Sequence, residues 1–242
     1  APTRKAVHPS RIVATVLITG ISLVMLTPFI WMVSASMKME RDVMSIPIKW
    51  IPGYFYPNNY LSVLHIGKTS AKDYHFFLAY YNSIKLAIIN TSSAVLSAAL
   101  AGYAFAKLRF KGSHVLFIIY LAQLMVPAQL TLIPRFAVFS WLRLTSSHWP
   151  LVLPNIIAVS AIFMLRQAFI AMPNEMRESA MIDGAGELLI WLRIGLPMVK
   201  PALGALATVQ FLDSWNAYLD PLVFLSHWRL HTLPIALNQF VG

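Results

Sequence analysis

The sequence predicts an all-α protein, a polytopic bundle of transmembrane helices. Of its 242 residues, 58% are hydrophobic and only 12% are charged, about half of the charged fraction of an ordinary soluble domain. The mean hydropathy is +0.65. Several windows exceed the roughly 18 uncharged residues that a helix needs to cross a bilayer. We therefore expect residues 1–242 to form a single transmembrane domain.

The charge of the chain fits a membrane protein better than a nucleic-acid-binding protein. The net charge is +10, but the basic residues cluster at the ends of apolar runs, where anionic lipid and orientation explain them. We therefore expect no nucleic-acid partner. The absence of cysteine excludes disulfides and thiol chemistry. The first apolar run is long and lacks a small-residue cleavage site, so we expect no cleavable signal peptide.

Five apolar runs are long enough to be read as membrane spans. They extend from about Ile12 to Val33, Ser83 to Ala106, Val115 to Ile133, Trp149 to Leu165 and Pro201 to Leu225. In the third span, Pro127 and Pro134 are expected to break or kink the helix, because proline removes a helical hydrogen bond. A polar, aromatic-rich segment at about residues 34–81 is expected to form an outer loop.

The basic residues predict the orientation of the spans. A tight turn, KLRFKG, carries Lys107, Arg109 and Lys111, and short loops rich in Lys and Arg lie on the cytoplasmic side. Segment 34–81 also contains basic residues, but at a lower density and together with acids. We therefore expect a multi-pass protein of the cytoplasmic membrane with its N-terminus in the cytoplasm.

The stretch ESAMIDGAGELLIWLRIGLP, residues 178–197, places polar residues between two apolar runs. Proline and an acid after Met172 favour a helix start, and Asp183-Gly184 favours a turn because glycine adopts positive φ at low cost. A second short helix is expected to end at Leu196-Pro197. The result is a cytoplasmic helix–turn–helix hairpin at about residues 172–197, with one apolar edge formed by Met176, Ala180 and Met181. A hairpin that merely joins two spans is the alternative.

The pattern E-S-A-x-x-D-G-A, followed by I-x-L-P, resembles the EAA signature of ABC-importer permeases. The matching residues are Glu178, Ala180, Asp183, Gly184, Ala185, Ile194, Leu196 and Pro197. Ser179 replaces the usual alanine, and both residues are small. The segments LAGYAFAKLRFKG, MVPAQLTLIPRF, FMLRQAF and FLDSWNAYLDPL extend the resemblance over nearly the whole chain. Together they resemble the second permease of the maltose-transporter-like carbohydrate importers.

This resemblance implies a type I ABC-importer fold in which the hairpin docks into a partner ATPase. The coupling residues it implies are Glu178, Ser179, Ala180, Asp183, Gly184, Ala185 and Pro197. The chain has no G-x-x-x-x-G-K-[ST] phosphate-binding loop, so we expect no catalytic residue and no cofactor here, with ATP and Mg²⁺ on the partner. Expected partners are a second homologous permease, two ATPase copies and an external solute-binding protein. Since the family typically has six spans, a sixth is expected beyond residue 242.

Candidate residues for the substrate path lie mainly in the fifth span. Asp213 stands at a depth where an ionisable side chain favours function, and Trp215, Asn216 and Tyr218 follow it with groups that suit a sugar. Gln123 and Gln129 are weaker candidates in the third span. The alternative is structural: Asp213 pairs internally or with the second permease, and the Ser-Trp-Asn sequence caps a broken helix.

The leading functional hypothesis is therefore a permease for a sugar or oligosaccharide. A permease for another solute, such as a glycerol phosphate, is the nearest alternative. An ion-coupled secondary transporter would need acids along several spans, and only Asp213 and Asp220 qualify. No catalytic constellation favours a membrane enzyme, and the histidines are too scattered to predict a metal site.

Overall fold

The computed structural model describes residues 9–63 and 76–241, and in these ranges it contains helices and no strand. Three helices are long and apolar enough to cross a membrane, and two sharply bent pairs raise the number to at most five. The predicted helical membrane fold is thus confirmed in outline. The longer helices are α1 (Pro9–Ser36), α4 (Phe76–Lys107), α5 (Ser113–Ala122), α6 (Ala128–Trp141), α8 (Val159–Ile170), α9 (Asn174–Ile182), α12 (Lys200–Asn216) and α14 (Leu233–Val241), and the shorter ones are α2 (Glu40–Val43), α3 (Asn58–Val63), α7 (Trp149–Val152), α10 (Glu187–Ile190), α11 (Leu196–Met198) and α13 (Leu219–Phe224).

The chain divides into two compact units, of which the first is Ala1–Asp73. Its long helix α1 exposes apolar side chains all round, as expected for a helix covered by lipid or by another subunit. The segment after α1 folds back on itself. Lys38 is buried, donates a hydrogen bond to the Lys49 carbonyl and lies 4.4 Å from the centre of the Trp31 ring. Asn59 bonds the carbonyls of Ser36 and Lys38 at 3.0 and 2.8 Å.

The second unit, Tyr74–Gly242, is built around α4. Helices α8 and α12 both pack on α4, and small residues make the close approach possible. Ala94 and Ala98 are completely buried, and a Cβ added at Gly102 would lie 2.9 Å from the Arg166 nitrogen. Leu165 and Phe169 of α8 complete this core with no exposed surface.

The third predicted span is bent where one of its two prolines lies. Helix α5 continues through the 3₁₀ turn Gln123–Met125, and α6 leaves it at an angle of 100°. Pro127 has the extended backbone (φ −57°, ψ 131°) that starts α6. Pro134 lies inside α6 and does not end it, so the break predicted at Pro127 is confirmed and a break at Pro134 is not found.

The helices differ from the sequence prediction in several places. Helix α4 begins at Phe76, seven residues before Ser83, because the aromatic residues assigned to the loop continue the helix. The predicted fifth span is two helices, α12 and α13, separated by Ala217 and Tyr218. The last helix, α14, was not predicted. Its Leu233 nitrogen bonds Ser83 of α4 at 2.8 Å, a contact between residues 150 positions apart.

Candidate functional site

The hairpin turn is a helix C-cap closed by glycine. Helix α9 starts after Pro173 and ends at Ile182, and Gly184 follows with a φ of 84°. The Gly184 nitrogen bonds the Met181 carbonyl at 3.0 Å, and the Ala185 nitrogen bonds the Ala180 carbonyl at 2.9 Å. These two bonds form a Schellman motif, which satisfies the last helical carbonyls. The D-G-A part of the signature thus has a structural role of its own.

The second arm of the hairpin runs further than its sequence predicted. Helix α10 continues through a π-helical turn, Trp191–Gly195, into α11. Pro197 is the second residue of α11 and is followed by one more helical residue. The first positions of a helix tolerate proline because their N–H groups need no helical partner. The chain bends by 77° only after Met198, where α12 begins.

The outer face of the hairpin is uncovered by the described chain. Ile182 is 86% exposed, and Met176 and Met181 of the predicted apolar edge are nearly half exposed. Glu178 and Asp183 are also exposed and form no ion pair within residues 9–63 and 76–241. Ser179 bonds the Glu175 carbonyl at 2.8 Å within its own helix. This face therefore offers an apolar tip flanked by two acids.

The inner face of the hairpin is tied to α4 by a charged junction. Arg177 on the first arm forms an ion pair with Glu187 on the second. The Tyr103 hydroxyl of α4 donates to the same carboxylate at 2.8 Å. Hydrogen bonding to Glu187 raises the pKa of Arg177 above its usual value, and burial opposes this effect. Both arms and α4 are thereby joined at one carboxylate.

Three further hydrogen bonds hold the hairpin to α4. The buried ammonium of Lys107 donates to the Met172 carbonyl at 2.6 Å and to Asn174 Oδ1 at 2.8 Å. The Trp191 indole donates to the Ala99 carbonyl at 3.1 Å. None of these junction residues is predicted from the sequence as part of the site. The available signal was the pair of opposite charges at Arg177 and Glu187, one on each arm of a predicted hairpin.

A cavity of about 170 Å³ lies at Asp213, in the region that the sequence predicts for the substrate path. Asn90, in its wall, lies close to the middle of α4, 14 residues after Phe76 and 17 before Lys107. Most of the polar wall comes from α4 and α12 and the segments that follow α12. The lining residues are Leu86, Asn90, Leu151, Asn155, Gln210, Asp213, Ser214, Ala217, Asp220, Pro221 and Thr232.

The two acids of the cavity have different surroundings. Asp220 forms an ion pair with Arg135 of α6, at 2.6 Å. Asp213 is exposed and forms no ion pair among the residues that the structure describes. Among the residues that the structure describes, no lysine or arginine lines the cavity. The ionisable side chains of the lining are therefore acidic, and they stand beside apolar ones such as Leu86 and Pro221.

Of the six residues predicted for the substrate path, Asp213 alone lines this cavity. Trp215 stacks on Phe211 with 6.0 Å between ring centres and meets the edge of Tyr80. The Tyr218 hydroxyl accepts a hydrogen bond from Asn238 at 2.9 Å. The remaining three, Gln123, Gln129 and Asn216, are exposed outside the cavity.

Comparison with known proteins identifies the family. Residues 94–236, which include the hairpin and most of the cavity wall, match the model of the binding-protein-dependent transport system inner membrane component. The chain belongs to this family. The resemblance inferred from the EAA-like signature is thus confirmed, and the chain is a multi-pass membrane component of a transport system rather than an ion-coupled secondary transporter.

Individual relatives cover most of the chain. The arabinooligosaccharides transport system permease protein AraQ of Bacillus subtilis (strain 168) is 30% identical over 96% of this chain and 81% of its own length. The sn-glycerol-3-phosphate transport system permease protein UgpE of Yersinia enterocolitica is 30% identical over 93% of this chain and 80% of its own length.

A solved structure supports the fold. The bacterial ABC transporter involved in the import of the acidic polysaccharide alginate has a chain that matches 98% of this one, with a TM-score of 0.81 and 24% sequence identity. The match covers 82% of that chain. The fold of this chain is therefore similar to that of the matched chain of this transporter.

Proposed function

We propose that this chain is one of two permease subunits of an ATP-driven importer for a sugar or oligosaccharide. In this proposal a second, homologous permease completes the translocation path and an external binding protein delivers the solute. Two copies of an ATPase subunit hold ATP and Mg²⁺. The observation that carries the proposal is the hairpin. Its inner face is hydrogen-bonded to α4, and its outer face is exposed in the described chain. The chain that carries this hairpin belongs to the transport family named above.

The hairpin suits a part that transmits movement. The apolar tip at Ile182 is the kind of exposed surface that a partner cleft covers, and Glu178 and Asp183 can meet basic groups at its rim. Because Tyr103, Arg177 and Glu187 join the arms to α4, a displacement of the tip is passed to the membrane helix rather than absorbed in the turn. We infer that the ATPase moves the hairpin and α4 together.

A neutral sugar fits the charges near the cavity better than a glycerol phosphate. Phosphate sites normally offer arginine, lysine or a helix N-terminus. The described lining of this cavity instead contains Asp213 and Asp220 and no basic residue. An anion entering it would meet the unpaired carboxylate of Asp213, a repulsion of about 2–4 kcal/mol at 4–8 Å in surroundings of intermediate polarity. Amides and hydroxyls from Asn90, Asn155 and Ser214 suit sugar hydroxyls.

The solute class can be tested by transport. The complete importer, reconstituted in proteoliposomes, should take up labelled neutral mono- or disaccharides only with the binding protein and ATP. Glycerol 3-phosphate in the same panel should give little uptake. If the importer took up glycerol 3-phosphate and no sugar, the solute class would be a phosphate ester instead of a sugar. Uptake driven by an ion gradient without ATP would contradict the proposed mechanism altogether.

The proposed orientation has the N-terminus and the hairpin in the cytoplasm. Since the chain has no cysteine, a single introduced cysteine reports its own side of the membrane. Ser113→Cys, beside the basic turn, should react with an impermeant thiol reagent only after the cytoplasmic side is opened. Asn58→Cys should react from outside in intact spheroplasts. Reversed labelling at both positions would overturn the orientation and place the hairpin away from the ATPase.

A further inference from the structure

We propose that the cavity beside Asn90 is a binding subsite for a single ring of a neutral sugar, within this permease subunit. Asn90, Ser214 and Thr232 would hold the ring hydroxyls, and Asp213 would accept a further hydrogen bond. This inference rests on the proposed sugar-importing function and adds a place of binding to it. Asn90, Ser214 and Thr232 were not among the residues predicted from sequence.

The first observation is that two buried polar atoms in the wall have no hydrogen-bond partner within residues 9–63 and 76–241. Asn90 is 5% exposed and Thr232 is 4% exposed. The Asn90 amide nitrogen donates to Ser214 Oγ at 3.0 Å, but Asn90 Oδ1 and Thr232 Oγ1 form no hydrogen bond in the structure. Leaving a buried polar group unpaired costs about 1–3 kcal/mol. Hydroxyl groups of a ligand in the cavity would remove this cost.

The second observation is the kind of groups that the wall presents. Asn90 Oδ1 and the Asp213 carboxylate can only accept hydrogen bonds, while the Thr232 hydroxyl can donate or accept. One N–H of the Asn155 amide is used within the chain, and Gln210 adds a further amide to the wall. The wall therefore presents both acceptors and donors. A sugar ring, which offers several hydroxyl donors and no charge, complements such a wall.

The third observation is the size of the cavity. Its volume of 170 Å³ equals the volume that about five or six molecules occupy in liquid water. It is smaller than the roughly 300–1,000 Å³ of sites for drug-sized ligands. This space suits one ring with its hydroxyls. An oligosaccharide would therefore occupy the subsite one sugar unit at a time.

A matched pair of threonines tests the subsite. Thr232→Val removes the unpartnered hydroxyl from the cavity wall, and Thr91→Val removes an equally unpartnered, buried hydroxyl from α4 that does not line the cavity. In the complete importer, Thr232→Val should raise the KM for the best-transported neutral sugar about 3- to 10-fold, the value of one hydrogen bond. Thr91→Val should leave the KM unchanged. Equal KM values in the two variants would overturn the subsite.

A second measurement does not depend on transport. Ala217→Cys places a thiol in the cavity wall of an otherwise cysteine-free chain. In the complex with cysteine-free partners, millimolar L-arabinose or D-glucose should slow the labelling of this thiol by a small permeant maleimide. Neither sugar should slow labelling of Ser113→Cys. Unprotected labelling of Ala217→Cys would overturn the subsite, whereas failure of the wild-type importer to take up any sugar would overturn the proposed function instead.

Discussion

The hairpin junction and the cavity differ in whether their buried polar groups are hydrogen-bonded. At the junction, the buried Lys107 ammonium and the Tyr103 hydroxyl both find hydrogen-bond partners on the hairpin. In the cavity wall, polar atoms of Asn90 and Thr232 are buried without a hydrogen-bond partner in the described part of the chain. A satisfied network holds two elements in one arrangement, whereas unsatisfied groups remain available to something that is not part of the chain. The junction is therefore suited to transmit movement and the cavity to bind.

The difference between the two regions also appears in their neighbours. The junction lies beside a core of fully buried side chains, including Leu165 and Phe169, and close packing there leaves little room for independent motion. The cavity lies where α12 ends and the backbone is extended at Ala217 (φ −59°, ψ 123°) before α13 begins. Broken helices of this kind are tolerated in membranes where they line a cavity.

The largest expected effect comes from breaking the hairpin turn. Gly184→Pro forces a φ near −65° on a residue that needs 84°, and it removes the N–H that bonds Met181. Uptake by the reconstituted importer should be lost while the chain still inserts at a normal level. Gly184→Ala, which costs about 1–2 kcal/mol at positive φ, should give an intermediate loss.

The matched control for the turn is Gly186→Ala. Gly186 has a φ of −75° and an added Cβ would meet nothing within 4 Å, so alanine fits there without strain. Its uptake rate and its ATPase activity should equal those of the wild type. Normal uptake by Gly184→Pro would show that the shape of this turn has no part in coupling.

Sequence patterns predicted the parts of the molecule that follow local rules. Hydropathy indicated the long helices, Pro127 indicated the bend after α5, and Asp183-Gly184 indicated the hairpin turn. Each of these features depends on the residues within one or two helical turns. The hairpin could therefore be placed to within a few residues, although its second arm continues to Met198.

The parts that were missed depend on contacts between distant residues. Asn90 and Ser214 are 124 positions apart and meet only because α12 packs on α4. The intrinsic preferences of these residues say nothing of a shared cavity, so the sequence could single out Asp213 by its charge but not its neighbours. Trp215 fits an aromatic sugar contact by type, yet it packs on Phe211 and Tyr80. Only tertiary structure separates these two cases.

Reversing one charge of the junction should have the second-largest effect. In the wild type, Arg177 and Glu187 form an ion pair, with side chains that are 20% and 35% exposed, respectively. Arg177→Glu would place two carboxylates beside Tyr103. Glu187→Arg would place two guanidinium groups together. Each single variant should lower uptake about 10-fold or more through loss of the held hairpin.

The double variant Arg177→Glu with Glu187→Arg supplies the control for these reversals. It restores an ion pair between the two arms and should recover a large part of the uptake at unchanged expression. A double variant no better than either single one would mean that the pair does not act by attraction across the hairpin.

Asp213 and Asp220 allow the cavity to be tested with one chemical change at two positions. Asp213→Asn deletes an unpaired carboxylate, so uptake should fall several-fold while the yield of assembled complex and the basal ATP hydrolysis persist. Asp220→Asn removes the ion-pair partner of Arg135. The Nε of this arginine is already buried without a hydrogen-bond partner among the described residues. This variant should instead lower the free energy of unfolding of the complex by about 0.5–1 kcal/mol, because the ion pair is partly exposed to solvent. The reverse pattern, with Asp213 needed for assembly, would favour a structural role for that acid.

The smallest expected effect separates a hydrogen bond that couples from one that only stabilises. Tyr103→Phe removes the hydroxyl that bonds Glu187, and Tyr120→Phe removes one that bonds the Ile157 carbonyl at 3.0 Å, remote from the hairpin. Each loss should cost about 0.5–1.5 kcal/mol of stability, so thermal unfolding of the two complexes should change alike. Only Tyr103→Phe should also reduce the amount of sugar imported per ATP hydrolysed, since it loosens the contact between α4 and the second arm. Equal ratios of uptake to hydrolysis in the two variants would mean that the Tyr103 hydroxyl only stabilises the fold. Coupling would then depend on Arg177, Glu187 and Lys107.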